Sequence, residues 1–208
     1  MRNSPIGRRR SMIREAAMQI EAIRRPFTVE EYDRMVEVGI LGKEDHVELI
    51  EGEILEMSPI GDRHAACVDR AAVLLLPPLV GASIVRIQGP IRLGDYSKPQ
   101  PDLILLRYQR DFFASGSPVT QDAHLVIEVA DSSIQYDRGP KLQVYARHGV
   151  REVWIEDLTT DRLLVFRDAE GGSYKTQLSL SPVDSIAPQA FPQLVLSVAN
   201  LLGLDPVE

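Results

Sequence analysis

Two apolar segments of this chain each carry one carboxylate, and this combination constrains the fold more than any other feature. The segments are Pro101-Asp102-Leu103-Ile104-Leu105-Leu106 and Leu125-Val126-Ile127-Glu128-Val129-Ala130. Short runs of branched apolar residues are typical of strands in a buried sheet. Burying an unpaired carboxylate in such a strand costs free energy, so Asp102 and Glu128 need partners. We expect one divalent cation held by both carboxylates, with Lys141 placing a positive charge beside it.

Length and composition predict one globular domain of ordinary size. The chain has 208 residues, of which 44% are hydrophobic and 25% are charged, a typical globular composition. Cys67 is the only cysteine, which excludes an internal disulfide and fits a reducing cytoplasm. The longest apolar stretch, residues 71–80, contains Pro77 and Pro78 and is too short to span a bilayer. We therefore expect a cytoplasmic protein without a membrane partner.

The charge is distributed unevenly along the chain. The formal net charge is −7, yet residues 1–25 carry seven arginines and two glutamates, so the remaining residues hold a net charge of −12. We predict a basic, flexible arm over residues 1–25 and a single domain over residues 26–208. The acidic domain argues against a generic nucleic-acid binder, because such affinity comes largely from neutralised phosphates. The arm could offset this by following a phosphate backbone.

The order of predicted elements indicates the α/β class, with a mixed central sheet flanked by helices and an N-terminal hairpin. Thr28 and Glu31 form a capping box that opens the first helix. Glu51-Gly52 joins two strands of a hairpin. A second helix from Arg63 to Leu76 is expected to end at the two prolines. Further strands are predicted near residues 83–88, 90–93, 102–106, 124–130, 151–157, 162–167 and 173–179, with a helix over residues 137–148.

Strand periodicity predicts that Asp102 and Glu128 can meet at one rim of the sheet. Alternation places Glu128 on the same face as His124 and Val126, near the end of its strand. Asp102 opens its own strand, so pairing of the two strands would bring both carboxylates to one Mg²⁺ ion. Lys141 follows Asp137 by four residues on the predicted helix. The alternative interpretation is that these two residues form an ordinary surface ion pair.

These residues resemble the motif of the PD-(D/E)XK nuclease superfamily. The motif is carried by Pro101-Asp102, by Ile127-Glu128-Val129 and by a following lysine. The chain is more closely similar to the restriction-endonuclease branch, a large family of uncharacterised bacterial proteins. The similarity runs over roughly residues 27–203. Supporting segments are residues 48–54, residues 57–59 with His64, and residues 131–133, 137–141 and 145–157.

The resemblance implies a restriction-endonuclease-like fold and a Mg²⁺-dependent endonuclease, with Mn²⁺ as another usable ion, that hydrolyses phosphodiester bonds of DNA. The chain departs from the superfamily motif at one position, because Ala130 occupies the place two residues after Glu128 where the superfamily usually has its lysine. The branch places this lysine on the next helix, here at Lys141. The resemblance implies the following roles: catalytic Glu48, Asp102, Glu128 and Lys141; metal ligands Asp102, Glu128 and Glu48; nucleic-acid contacts His64 and Arg63.

Two other functions are open at the level of sequence. A catalytically inactive binding or scaffold module with a nuclease fold is favoured by the acidic domain and by Ala130. A carboxylate-pair hydrolase acting on sugars needs an aromatic-lined cleft, and aromatic residues make up only 6% of the chain. Cutting both strands of DNA would suit a homodimer, although no segment identifies an interface.

Overall fold

A six-stranded mixed sheet organises the computed structural model, which describes residues 24–42, 44–57 and 59–204. The predicted α/β class, with helices around a mixed sheet and an N-terminal hairpin, is confirmed. Residues 1–23 of the predicted basic arm and residues 205–208 lie outside the described residues. The assignment of residues 1–25 as a separate arm therefore stays a prediction.

The elements follow one another as helix, hairpin, helix, strands, helices and strands. The helices are α1 Val29–Glu37, α2 Asp62–Leu79, α3 Ile134–Tyr136, α4 Leu142–Arg147 and α5 Val198–Leu202. A 3₁₀ turn spans Thr120–Asp122, and a π-helical turn, Asp137–Lys141, joins α3 to α4. The strands are β1 Val47–Ile50, β2 Glu53–Glu56, β3 Ser83–Ile87, β4 Leu103–Arg107, β5 Ala123–Ala130, β6 Glu152–Asp157, β7 Arg162–Glu170, β8 Ser173–Leu180, β9 Ser185–Ile186 and β10 Leu196–Ser197.

The central sheet has the order β3-β4-β5-β6-β7-β8. Only β5 and β6 are parallel neighbours, and they are joined through the helices α3 and α4. The β4–β5 pair is antiparallel and aligns Leu103 with Ile127. Continuing this register by one residue places Asp102 opposite Glu128, at the end of the sheet from which β4 starts. Side chains on residues directly opposite in an antiparallel pair lie about 4.5–5.5 Å apart at Cβ.

Each face of the sheet buries its own apolar core. On one face β-strand residues such as Ile104 and Val126 pack with Tyr145 of α4. On the other face Leu103 and Ile127 pack beneath α2 and α5. Because successive side chains of a strand point to opposite faces, Glu128 lies on the α4 face, whereas Val129 lies on the α2 face.

The N-terminal hairpin forms a small third core with α1. Val29, Tyr32 and Leu49 are its buried members. The Tyr32 hydroxyl donates to the Val47 carbonyl at 2.9 Å, and the Lys98 N–H donates to the Leu49 carbonyl at 2.7 Å. These bonds fix β1 against the chain that leads into β4, which is how Glu48 reaches the end of the sheet.

Three predicted elements differ from the structure. Helix α2 continues through Pro77 and Pro78 to Leu79. The N–H groups that the prolines lack would bond the carbonyls of Val73 and Leu74, and Val73 is exposed, so water can replace the missing donor there. The predicted strand 90–93 makes only isolated bridges, since the left-handed Gln88 and Gly89-Pro90 turn the chain away from β3. The predicted helix 137–148 begins at residue 134 and is interrupted near Pro140, which cannot donate a backbone hydrogen bond.

Candidate active site

Glu48, Glu128 and Lys141 meet in a buried ion cluster at the end of the sheet from which β4 starts. Glu48 is 2% exposed, Glu128 is 3% exposed and Lys141 is 4% exposed. Lys141 Nζ lies 3.0 Å from Glu128 Oε1 and 3.3 Å from Glu48 Oε2. The surface ion pair considered for Lys141 is therefore wrong, since its ammonium is buried between two carboxylates. The structure brings together residues from a hairpin, a strand and a helix that are far apart in sequence.

Asp102 lies beside this cluster and is held by two donors. Its Oδ2 accepts a hydrogen bond from the Val129 N–H at 2.8 Å and one from His64 Nε2 at 3.1 Å. The side chains of Asp102 and His64 are 14% and 15% exposed, more than those of the buried ion cluster. The approach to the site from solvent is therefore on the side of Asp102 and His64.

Two tyrosines that the sequence did not identify as site residues hold the two glutamates. The Tyr145 hydroxyl donates to Glu128 Oε1 at 2.6 Å, and the Tyr136 hydroxyl donates to Glu48 Oε1 at 3.1 Å. The Gln100 N–H also donates to Glu48 Oε2 at 3.0 Å. Tyr145 could have been found from its spacing, because residues four apart on a helix share a face and it follows Lys141 by four residues.

The protonation of the buried ion cluster is set by burial and by an excess of carboxylates. Burial raises the pKa of Glu128 to about 8, although the nearby Lys141 ammonium acts in the opposite direction. Burial alone would lower the pKa of Lys141, but the charges of Glu128, Glu48 and Asp137 together raise it well above its ordinary value. The lysine therefore stays charged, whereas Glu128 takes up a proton near neutral pH that a bound cation would displace.

Two more buried carboxyl groups surround the site and were not assigned to it from the sequence. Asp137 is buried one turn before Lys141, and burial raises its pKa. Glu156 on β6 is fully buried, and neither of its carboxyl oxygens has a hydrogen-bond partner among the described residues. Burial and the nearby charge of Asp102 raise the pKa of Glu156 well above its ordinary value. The sequence alone did not reveal that Glu156 is buried, because both faces of β6 are covered and the strand has no alternation of buried and exposed residues.

The donor chemistry of the site fits a hard divalent cation. Asp102 and Glu128 offer carboxylate oxygens from opposite positions of adjacent strands, and such oxygens are the ligands that Mg²⁺ prefers. Asp102 Oδ1 and Glu128 Oε2 take no part in the contacts to His64, Val129, Tyr145 and Lys141. Within the described residues no three acidic, histidine or cysteine side chains are already arranged around one metal position. Lys141 Nζ lies between Glu48 and Glu128, so Glu48 contacts an ammonium.

His64 and Arg63 both lie in the first turn of α2, beside the site. Arg63 donates to the Leu158 carbonyl at 2.6 Å and forms an ion pair with Asp161. His64 contacts Asp102, and this contact raises its pKa despite the opposing effect of burial. His64 Nδ1 is buried and has no partner among the described residues. Contact of either side chain with nucleic acid stays a prediction.

Comparisons with known proteins agree with this architecture. Residues 29–199 match the model of the Uma2 family, described as "Putative restriction endonuclease". The fold is similar to a crystal structure from Anabaena variabilis ATCC 29413 described as "a putative nuclease belonging to DUF820". The two chains share 18% sequence identity with a TM-score of 0.63, over 86% of this chain and 98% of the other. No curated protein matches the chain.

Among the described residues, no helix combines the length and the apolar character needed to cross a bilayer.

Proposed function

Because this chain belongs to the Uma2 family of restriction-endonuclease-like proteins, we propose that it is a divalent-metal-dependent endonuclease that hydrolyses phosphodiester bonds of DNA. The observation that supports this most strongly is the convergence of Glu48, Asp102, Glu128 and Lys141 at one end of the sheet. Buried charged side chains are costly to a fold, so three of them beside the half-buried Asp102 favour a functional role over a structural one.

Asp102 and Glu128 would hold the cation, and Mg²⁺ is the ion we propose, with Mn²⁺ as a substitute. A Mg²⁺ ion bound there would supply Lewis-acid polarisation of the phosphate and would activate a water molecule. The Val129 N–H and His64 fix Asp102 through Oδ2. The Tyr145 hydroxyl fixes Glu128 through Oε1. Each carboxylate thus keeps one oxygen in a defined direction for a ligand.

Lys141 supplies a fixed positive charge beside the scissile phosphate. Its ammonium is oriented by Glu48 and Glu128, so it needs little reorganisation when negative charge develops on the phosphate oxygens. A lysine ammonium has three donors, and the two glutamates occupy two of them. The third can donate to a phosphate oxygen or orient the attacking water. Glu48 acts by holding Lys141 in this position.

Nicking of supercoiled plasmid in Mg²⁺ or Mn²⁺ tests the proposed activity. We expect Asp102→Asn and Glu128→Gln each to lower the nicking rate by at least about 100-fold, because each removes a charged cation ligand. Glu170→Gln is the matched control, since Glu170 is an exposed carboxylate at the far end of β7. Activity that persists in both site variants would contradict the assignment, provided that all three variants unfold at similar urea concentrations.

A specific observation favours the alternative of an inactive binding or scaffold module. Lys141 already neutralises part of the charge of Glu48 and Glu128, so these carboxylates have a cation without a metal. Calorimetric titration with Mn²⁺ separates the two functions. An endonuclease should bind Mn²⁺ with an affinity that Asp102→Asn weakens, whereas an inactive module should give no heat that depends on Asp102.

A further inference from the structure

A loop beyond β4 exposes aromatic rings that no described residue covers. Tyr108 is 47% exposed and Phe112 is 59% exposed. Their ring centroids lie 6.1 Å apart in an edge-to-face arrangement. Only one other aromatic side chain among the described residues, Tyr96, is as exposed. Two exposed rings within five residues of one loop form an apolar feature that is typical of a binding surface.

This loop is held in place by its neighbours. The Asp111 carboxylate accepts hydrogen bonds from the Phe113 N–H at 3.2 Å and from Ser115 Oγ at 2.9 Å. Phe113 is buried, and the guanidinium groups of Arg86 and Arg107 lie 5.5 Å and 5.7 Å from its ring centroid. Phe112 and Phe113 both have positive φ values, 53° and 60°. Bulky residues are strained in this conformation, so the surroundings keep the Phe112 ring exposed at a cost in stability.

Three arginines, Arg86, Arg107 and Arg110, lie near the two exposed rings, together with the carboxylate of Asp111. Arg86 Nη2 donates to the Phe112 carbonyl at 3.1 Å, and Arg110 is an exposed residue two positions before Phe112. Arg107 forms an ion pair with Asp122. Within the part of the chain that the structure describes, neither Arg86 nor Arg110 has a carboxylate partner. The surface formed by Tyr108, Phe112, Arg86 and Arg110 therefore combines flat rings with cations, although the domain as a whole is acidic.

Arg86 connects this surface to the candidate active site, whereas Tyr108 follows the opposite end of β4, six residues or about 20 Å along the strand from Asp102. Arg86 on the edge strand β3 is paired with Ile104, two residues along β4 from Asp102. With a rise of about 3.4 Å per residue, this is about 7 Å along the strand. The alternation of side chains also places Arg86 on the sheet face of Glu128, because Ile104 is paired with Val126. A strand of nucleic acid whose phosphate is at Asp102 and that runs along β4 would thus meet Arg86 first and the two rings beyond it.

We propose that Tyr108 and Phe112 stack with unpaired bases of the substrate strand while Arg86 and Arg110 contact its phosphates. This inference rests on the proposed nuclease function and names the form of nucleic acid that the site accepts. Bases stack on aromatic rings when they are unpaired and splayed out, whereas the faces of bases inside a duplex are covered by their neighbours. The arginines provide affinity for phosphate that does not depend on sequence.

Fluorescence anisotropy with a labelled single-stranded oligonucleotide and with the duplex of the same sequence tests the inference. The titrations are made in EDTA, so that binding is measured without cleavage. We expect the protein to bind the single strand more tightly than the duplex. Tyr108→Ala and Phe112→Ala should each weaken single-strand binding by about fivefold or more, because each removes a ring on which a base stacks. Duplex binding should change by less than twofold.

Two further variants give the experiment its controls. Tyr96→Ala removes an equally exposed ring outside the loop and should leave binding unchanged. Phe112→Leu keeps apolar bulk but removes the flat ring, so it should bind as weakly as Phe112→Ala. The inference is overturned if Phe112→Leu binds like the wild type or if the protein prefers the duplex. It is also overturned if Tyr108→Ala changes the oligomeric state but leaves binding unchanged. Because binding is measured in EDTA, a plasmid assay without nicking would count only against the proposed nuclease function.

Discussion

At the scale of single residues, the position of the Asp102 carboxylate depends on His64, which the sequence analysis predicted to contact nucleic acid. The His64 Nε2 hydrogen bond to Asp102 Oδ2 points to a positioning role. We expect His64→Ala to lower the nicking rate by about 10- to 100-fold at saturating Mg²⁺, the usual effect of removing a partner of a metal ligand. His64→Gln, which can donate from a similar position, should recover part of this loss.

The measurement that decides between the two roles of His64 is the separation of kcat from KM. Loss of a positioning contact should lower kcat and raise the Mg²⁺ concentration needed for half-maximal activity. The oligonucleotide affinity measured by anisotropy should stay within about twofold of wild type. If His64→Ala instead weakens oligonucleotide binding and leaves kcat unchanged, the contact with nucleic acid predicted from the sequence is the better description.

The sequence identified the charged members of the site but few of their partners. Asp102 and Glu128 were recognisable because a carboxylate in an apolar strand is unusual whatever the fold. Tyr136 had no such signal, and for Tyr145 only its spacing from Lys141 was available, because a tyrosine hydroxyl acquires a role only through the residue it meets. Glu156 was missed for a related reason, since its complete burial depends on how α2 covers β6.

At the scale of elements, local capping chemistry was predictable and helix length was not. The Thr28 and Glu31 capping box is present, with reciprocal hydrogen bonds of 3.2 Å and 3.1 Å. Such a box depends on residues three apart and so can be recognised from sequence. The continuation of α2 through Pro77 and Pro78 could not, because it depends on how Leu75 and Leu79 are buried in the core beneath the sheet.

Thr28→Ala tests how strongly this cap stabilises the N-terminal part of the protein. The variant loses the hydrogen bond to the Glu31 N–H, and we expect a fall of about 1 kcal/mol in the free energy of unfolding. Urea denaturation followed by circular dichroism measures it. Thr28→Ser keeps the hydroxyl, so its free energy of unfolding should fall by less than half as much. Equal stability of the wild type and the alanine variant would show that α1 is held by its apolar contacts alone.

At the scale of the whole molecule, the fold class could be predicted from the order of the apolar and polar segments. The contact between the hairpin, the sheet and the turn before α4 could not. Glu48 comes from the hairpin, Glu128 from the central sheet and Lys141 from the turn before α4. The sequence predicted each element but gave no distance between them. The contact arises because α1 and the Lys98 backbone dock the hairpin onto the chain leading into β4.

Lys141 therefore holds three parts of the molecule together, and its removal should destabilise the whole fold. Lys141→Met keeps most of the side-chain volume but leaves Glu48 and Glu128 buried without their cation. Breaking a buried pair in this way costs about 3–5 kcal/mol. Urea denaturation should show this loss at pH 7. Lys98→Met is the matched control, because the Asp33 carboxylate that pairs with Lys98 is 41% exposed, and a loss below about 1 kcal/mol is expected there.

The double variant Lys141→Met/Glu128→Gln separates charge from packing. Glu128→Gln removes one of the two carboxylates that lost their cation, so the double variant should be more stable than Lys141→Met alone. The gain identifies uncompensated charge as the cause, because lost packing would not be repaired by a change at position 128. If Lys141→Met is as stable as the Lys98→Met control, or if the double variant is less stable than the single one, the ammonium does not join the hairpin to the sheet.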